Sequence, residues 1–174
     1  MGRRRESSAT TPAAVVDQET HRVGLISDTH GLVRPEVFSA LDGVELILHA
    51  GDVGDGVLEE LAAIAAIEAV YGNTDATDDP RLRQSIERTI GGLRVHVSHG
   101  HELGSPTPER LLAKYDADVI VYGHTHQQKV VESNGRLVVN PGAAGARRFK
   151  LRPSVGVLTI HGGAASVRLI ELAS

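Results

Sequence analysis

Five short clusters hold most of the side chains that could do chemistry: Asp28-Thr29-His30, Gly51-Asp52, Gly72-Asn73-Thr74-Asp75, His99-Gly100-His101 and Gly123-His124-Thr125-His126. Histidine is the unusual residue, nine in 174. It is the commonest metal ligand and the side chain that titrates near neutrality. Carboxylate, imidazole and amide oxygen together form a borderline donor set, which suits manganese, iron, zinc, cobalt or nickel better than magnesium or calcium alone. Two such ions held close together need a shared anionic bridge, and a carboxylate can span both. Asp52 lies between the other clusters in sequence and is the bridging candidate. Each cluster alone has an ordinary reading: Asp28 could cap a helix, Gly51-Asp52 could be a turn, and Asn73 could fill a left-handed position. Their joint occurrence, each at the end of an apolar run, points to one divalent metal site.

The runs that must position these clusters are short and rich in Val, Ile and Leu. Residues 23–27, 44–49, 67–71, 93–98 and 118–122 read as strands, the first and last of them buried, and each feeds one cluster. In α/β sheets ligands bind at the carboxyl ends of strands, so clusters far apart in sequence can converge there. Adjacent glycines allow sharp turns and close backbone approach. Residues 35–41 and 57–66 read as helices between the first strands, and residues 107–115 as a helix with Thr107 at its N-cap and Pro108 at its first position. Three hairpins are signalled by Gly91-Gly92, Asn134-Gly135 and Gly162-Gly163, each between apolar runs. Alternating strands and helices predict parallel pairing in the first half, and the hairpins add antiparallel strands in the second. The expected fold class is α/β, two mixed sheets packed face to face with helices outside, with a single mixed sheet as the alternative.

Composition narrows the classes of function. There is no cysteine, which excludes disulfides, a thiol nucleophile and cysteine-based metal sites. A net charge of -4 gives no support for tracking a nucleic-acid backbone, and the scarcity of aromatic side chains argues against stacking along a polymer. No apolar run approaches the ~20 residues of a membrane span. Residues 1–20 carry an arginine cluster, Arg3 to Arg5, without an apolar stretch after it, and read as a disordered tail rather than a secretory signal. Residues 21–174 read as a single domain, and the cytoplasm is the default location. A homo-oligomer is left open. Arg147, Arg148, Lys150 and Arg152 form a basic run that could draw in a phosphate-bearing substrate, or serve as a solvated loop or an interface.

The order DxH, GD, GNxD, HGH and GHTH resembles the calcineurin-like metallophosphoesterase superfamily, most closely its small, single-domain phosphodiesterase branch. The likeness runs from Val23 to Leu172 and includes the Asn140-Pro141-Gly142 turn. It implies a four-layer α/β/β/α sandwich and two divalent metal ions, manganese first among the candidates. One ion would be held by Asp28, His30 and His126, the other by Asn73, His99 and His124, with Asp52 shared. His99 is preferred to His101 because it directly ends its strand. The implied activity is hydrolysis of a small phosphodiester by a hydroxide bridging the ions, with Asp52, Asn73, His101 and Asp75 as the catalytic group. A non-catalytic binding scaffold of the same fold and a nuclease are the alternatives. Thr74 stands where many members carry a histidine near the leaving group. Asp75 therefore lacks its usual partner, and protonation of the leaving oxygen falls to His101 or water.

Overall fold

The computed structural model describes residues 18–173. The expected tail lies, apart from its last three residues, outside them. Strand β1 (Thr20–Ile26) already begins at Thr20, because its first residues pair antiparallel with the end of β10 (Ser154–His161), Thr20 opposite His161. On its other edge β1 runs parallel to β2 (Leu46–His49), and β2 to β3 (Ala66–Val70). The connections between these parallel strands carry α1 (Glu36–Ala40) and α2 (Val57–Leu61). With β4 (Leu82–Arg83) beyond β3 and β11 (Ala164–Glu171) beyond β10, the first sheet has the order β11-β10-β1-β2-β3-β4.

The second sheet has the order β5-β6-β7-β9-β8. It is built from β5 (Ile86–Ile90), β6 (Leu93–Val97), β7 (Val119–Val121), β8 (Lys129–Ser133) and β9 (Arg136–Asn140). The second half of the chain is therefore not hairpins alone. Strand β7 lies parallel between β6 and β9, and the crossover from β6 carries α3 (Pro108–Lys114). The cap of α3 forms as read, with the Thr107 hydroxyl accepting from the backbone N–H of Arg110 at 3.3 Å. Asn134-Gly135 and Gly162-Gly163 turn their hairpins; Asn134 (φ 50°) and Gly162 (φ 57°) precede glycines at φ 75°, the pair of positive values that matches strand twist in two-residue turns.

Both faces of each sheet are covered, which is why the central strands read as continuous apolar runs. Between the sheets, Val23, Leu25, Leu48 and Leu158 of the first pack against Val95, Val97, Val121 and Val139 of the second. Outside the first sheet, Val37 and Leu41 with Val57 and Leu61 cover Ile26, Ile47 and Val157. Outside the second, Leu111 covers Ile120 and Val138. The four layers are thus α/β/β/α. A side-chain carbon at Gly24 would stand 3.2 Å from two Leu41 methyl carbons, so the glycine lets α1 seat directly on β1. Helix α2 is shorter than its alanine-rich sequence predicts. It stops at Leu61 because residues 66–70 must return as β3 to pair with β2, and pairing overrides local propensity. Among the described residues no helix is long and apolar enough to cross a membrane.

Candidate metal centre

The loops after β1, β2, β3, β6 and β7 meet at one end of the sandwich and bring all seven expected ligand positions together. Donor atoms of Asp28, His30, Asp52 and His126 all lie within 4.8 Å of one another. His126 Nε2 is 3.2 Å from Asp28 Oδ1, and His30 Nε2 is 3.7 Å from Asp52 Oδ2. An adjoining set shares Asp52: His99 Nε2 is 3.3 Å from Asp52 Oδ2, and Asn73 Oδ1 is 3.1 Å from both His99 Nε2 and His124 Nδ1.

Backbone conformation marks the same residues. Among the described residues seven non-glycines have positive φ, and five of them are Asp28, His30, Asp52, His124 and His126, at 48–69°. This region is uncommon for side-chain-bearing residues and persists only where the surroundings impose it. Asn73 is not among them, so the ordinary reading of Asn73 as a left-handed turn residue does not hold. Close packing does the rest. A side-chain carbon at Gly123 would collide with the Ser27 hydroxyl and the Asp28 carboxylate, and one at Gly72 with Asp52.

Each carboxylate has one oxygen anchored and the other aimed inward. Asp28 Oδ2 accepts from the Ser27 hydroxyl at 2.7 Å and the His124 backbone N–H at 3.2 Å, while Oδ1 is buried without a hydrogen bond. Asp52 Oδ1 accepts from the backbone N–H and hydroxyl of Thr74, at 2.9 and 2.8 Å, leaving Oδ2 toward His30 and His99. Partial burial opposes charge on Asp52, but the bonds from His99 and Thr74 hold its carboxyl well below the usual range. The Nδ1–H of His99 donates to the Ala50 carbonyl at 2.7 Å, so in the neutral ring Nε2 carries a lone pair. That lone pair faces Asp52, Asp28 and Asn73, which are acceptors. Burial of the His99 ring disfavours its charge, yet the two carboxylates outweigh burial and its pKa is raised. His124 goes the other way: burial and the nearby His99 lower its pKa. With the His99 ring neutral the arrangement is a convergence of lone pairs, which a cation satisfies in place of the His99 Nε2 proton. The donor set therefore fits a divalent metal.

Residues outside the expected ligand set hold this geometry or border it. His49 is fully buried and its pKa is pushed down to about 4, chiefly by burial. Its neutral ring accepts from the Gly51 N–H at 3.1 Å and donates to the Thr29 hydroxyl at 2.9 Å, which donates in turn to the Val53 carbonyl at 2.7 Å. The chain of bonds ties the loop of Asp28 and His30 to that of Asp52. Asp75, expected in the catalytic group, instead spends its oxygens on backbone N–H groups of Val53, Gly54 and Gly72 at 2.9–3.1 Å. It fastens the loops of Asp52 and Asn73 to one another. His101 borders the centre, its ring 5.3 Å from that of His99, with Nδ1 buried and without a hydrogen bond, 3.9 Å from Glu102 Oε2. Adjacent to the centre, a cleft of about 490 Å³ opens between His30 and Thr74 and is lined further by Asp55, Asp79 and Arg81.

Sequence relationships agree with this geometry. The pattern of the calcineurin-like phosphoesterase superfamily domain matches residues 22–163. A protein named a probable metallophosphoesterase, from Methanothermobacter thermautotrophicus, is 39% identical over 158 residues, spanning 86% of this chain and 91% of its own. A phosphodiesterase of Methanocaldococcus jannaschii is 29% identical over 156 residues, spanning 79% of this chain and 92% of its own. Among solved structures, vacuolar protein sorting 29 from Cryptosporidium parvum superposes with a TM-score of 0.73 at 24% identity, over 89% of this chain and 99% of that one; at that identity the likeness speaks for the fold alone. Because the matched pattern takes in every loop that feeds the centre and all strands but the edge strand β11, and the metallophosphoesterase relative is similar along nearly its whole length, the chain belongs to the calcineurin-like phosphoesterase superfamily.

Proposed function

We propose that the protein hydrolyses a small phosphodiester at two divalent metal ions, with manganese the first candidate and iron, nickel, zinc and cobalt acceptable to the same donors. In this reading Asp28, His30 and His126 hold one ion, Asn73, His99 and His124 the other, and Asp52 is shared. The observation that carries it is the convergence of carboxylate and imidazole lone pairs, above all Oδ1 of Asp28 and Nε2 of His30, both buried and without a hydrogen bond. Bound ions would lower the pKa of water from about 16 to about 7 and offset charge on the phosphoryl oxygens.

The protein's own groups orient and protonate. Thr74 directs the free oxygen of Asp52 inward by holding the other one. Its hydroxyl is committed to that bond and does not serve the leaving oxygen. Protonation of that oxygen falls to His101 at the rim or to water, so acidic leaving groups are favoured. Asp75 and His49 act as positioning residues through the loops they tie together.

The test is removal of metal, reconstitution with each ion in turn, and a screen of phosphodiesters. Activity should return with one or more transition ions. Asp52→Asn should lose nearly all turnover and bind less metal, and full activity in that variant would refute the shared role. The likeness to a vacuolar sorting protein supports one rival, a binding scaffold of the same fold. Metal uptake with no hydrolysis of any diester under any ion would favour that rival.

A further inference from the structure

The basic run after Pro141 is anchored to the metal centre at its root. The backbone N–H groups of Ala144 and Gly145 donate to the carbonyls of Ser27 and Asp28, at 2.9 and 3.3 Å, and the Arg34 Nε donates to the Gly145 carbonyl at 2.9 Å. Beyond this root the chain passes His126, which shares a small cavity with Arg147 and Arg148. The Leu151 N–H then donates to the Arg148 carbonyl at 3.1 Å, closing a turn with Phe149 at its tip. Phe149 is 95% exposed and sits at φ 54°, an uncommon conformation for a bulky side chain. Arg152 pairs with Glu171 at 3.0 Å. Arg147, Arg148 and Lys150 have no acidic partner among the described residues. Arg147 also lines a cleft of about 520 Å³ with Arg152 and Glu171, inside the ~300–1,000 Å³ range of small-molecule sites. In a chain of net charge -4 this is a local concentration of unpaired cations beside a candidate phosphate-hydrolysing centre.

We propose that this loop holds the non-reacting half of the substrate, and that this half is a nucleotide. Its additional phosphate lies on the guanidinium groups of Arg147 and Arg148, and its base lies on the ring of Phe149. The inference rests on the phosphodiesterase reading of the metal centre and names the substrate class for it. Guanidinium groups match phosphate oxygens in two-pronged bonds. An exposed aromatic ring next to them offers a stacking face that any base can use. The cleft that adjoins the centre at His30 limits the length of the ligand. The cleft at His30 carries Asp55 and Asp79, with Asp79 already paired to Arg81, and a further backbone phosphate there would meet carboxylates. The site is thus polarised for a small nucleotide diester whose second phosphate points to the loop.

Calorimetric titration of the metal-loaded full chain with three probes separates the contributions. Inorganic phosphate reads the centre alone, adenosine monophosphate adds the base, and adenosine bisphosphate adds the second phosphate. The bisphosphate should bind at least about tenfold more tightly than the monophosphate, the scale of a bond between charged groups. The monophosphate should bind about tenfold more tightly than inorganic phosphate, the scale of one stacked base. The Arg147→Ala, Arg148→Ala double variant should abolish the first ratio and Phe149→Ala the second. Ratios near one in the intact protein, or ratios unchanged in the variants, would overturn the assignment. So would displacement of the bisphosphate by a single-stranded oligonucleotide with a steep salt dependence, since that identifies a polymer site. Ratios that behave as expected in a protein that hydrolyses no diester would instead refute the phosphodiesterase reading and leave the docking assignment standing.

Discussion

Replacing Thr74 with valine keeps the shape of the side chain and removes one hydrogen bond, that from the hydroxyl to Asp52 Oδ1 at 2.8 Å. Asp52 Oδ1 would retain the second bond, from the Thr74 backbone N–H at 2.9 Å. A hydrogen bond to a charged group contributes about 1.5–3 kcal/mol. Because the backbone donor survives and Thr74 is exposed enough for water to substitute in part, the loss belongs at the lower end, about 1.5 kcal/mol. That corresponds to about tenfold in an equilibrium constant, and it falls on the orientation of the one carboxylate shared by both sets of donors. We expect about tenfold weaker manganese binding by competitive chelator titration, and a similar loss in kcat/KM on a nitrophenyl diester. Thr74→Ser keeps the hydroxyl and should restore most of both. Valine equal to the native protein in both assays, or serine as damaged as valine, would refute the idea that this hydroxyl orients Asp52.

Across diesters of graded leaving-group pKa, rates should fall as the leaving group becomes more basic, because the Thr74 hydroxyl proton is committed to Asp52; equal rates along the series would count against that reasoning. Gly123→Ala should lower kcat/KM about a hundredfold by displacing Asp28, the scale of an ångström-sized misplacement, with metal content measured alongside; an alanine variant with intact kinetics would show that the collision is relieved elsewhere. Glu102 gives a pH prediction. Burial disfavours its charge, but bonds led by that from Tyr115, whose hydroxyl donates at 2.8 Å, outweigh burial and lower its pKa. Its folded pKa lies below the unfolded value near 4.3, so its contribution is present above that pH and is lost as pH falls through the lowered value. Tyr115→Phe should therefore make the melting temperature depend less steeply on pH in that acid range; an unchanged slope in thermal scans would remove Tyr115 as the cause.

The sequence by itself determined the parts whose physics is local. Strands covered on both faces are mainly apolar, so β1, β2, β3 and β7 stood out as runs and β6 as one arm of the Gly91-Gly92 hairpin, and the Asp, His, Asn and Gly clusters that end them stood out as breaks. The cap at Thr107 and the Asn134-Gly135 turn depend on residues within a few positions of one another, and both formed as read. The tertiary structure decided what depends on partners far along the chain. The early end of α2 follows from the pairing of β3 with β2, and the place of β7 from its parallel neighbours in the second sheet. The roles of Thr74, His49 and Asp75 follow from bonds across 20–22 residues in most cases. Residue type announces that a carboxylate or an imidazole is available. Which oxygen of Asp28 or Asp52 stays free, and which nitrogen of His99 keeps its lone pair, is set by donors and acceptors that only the packing of the two sheets brings into reach.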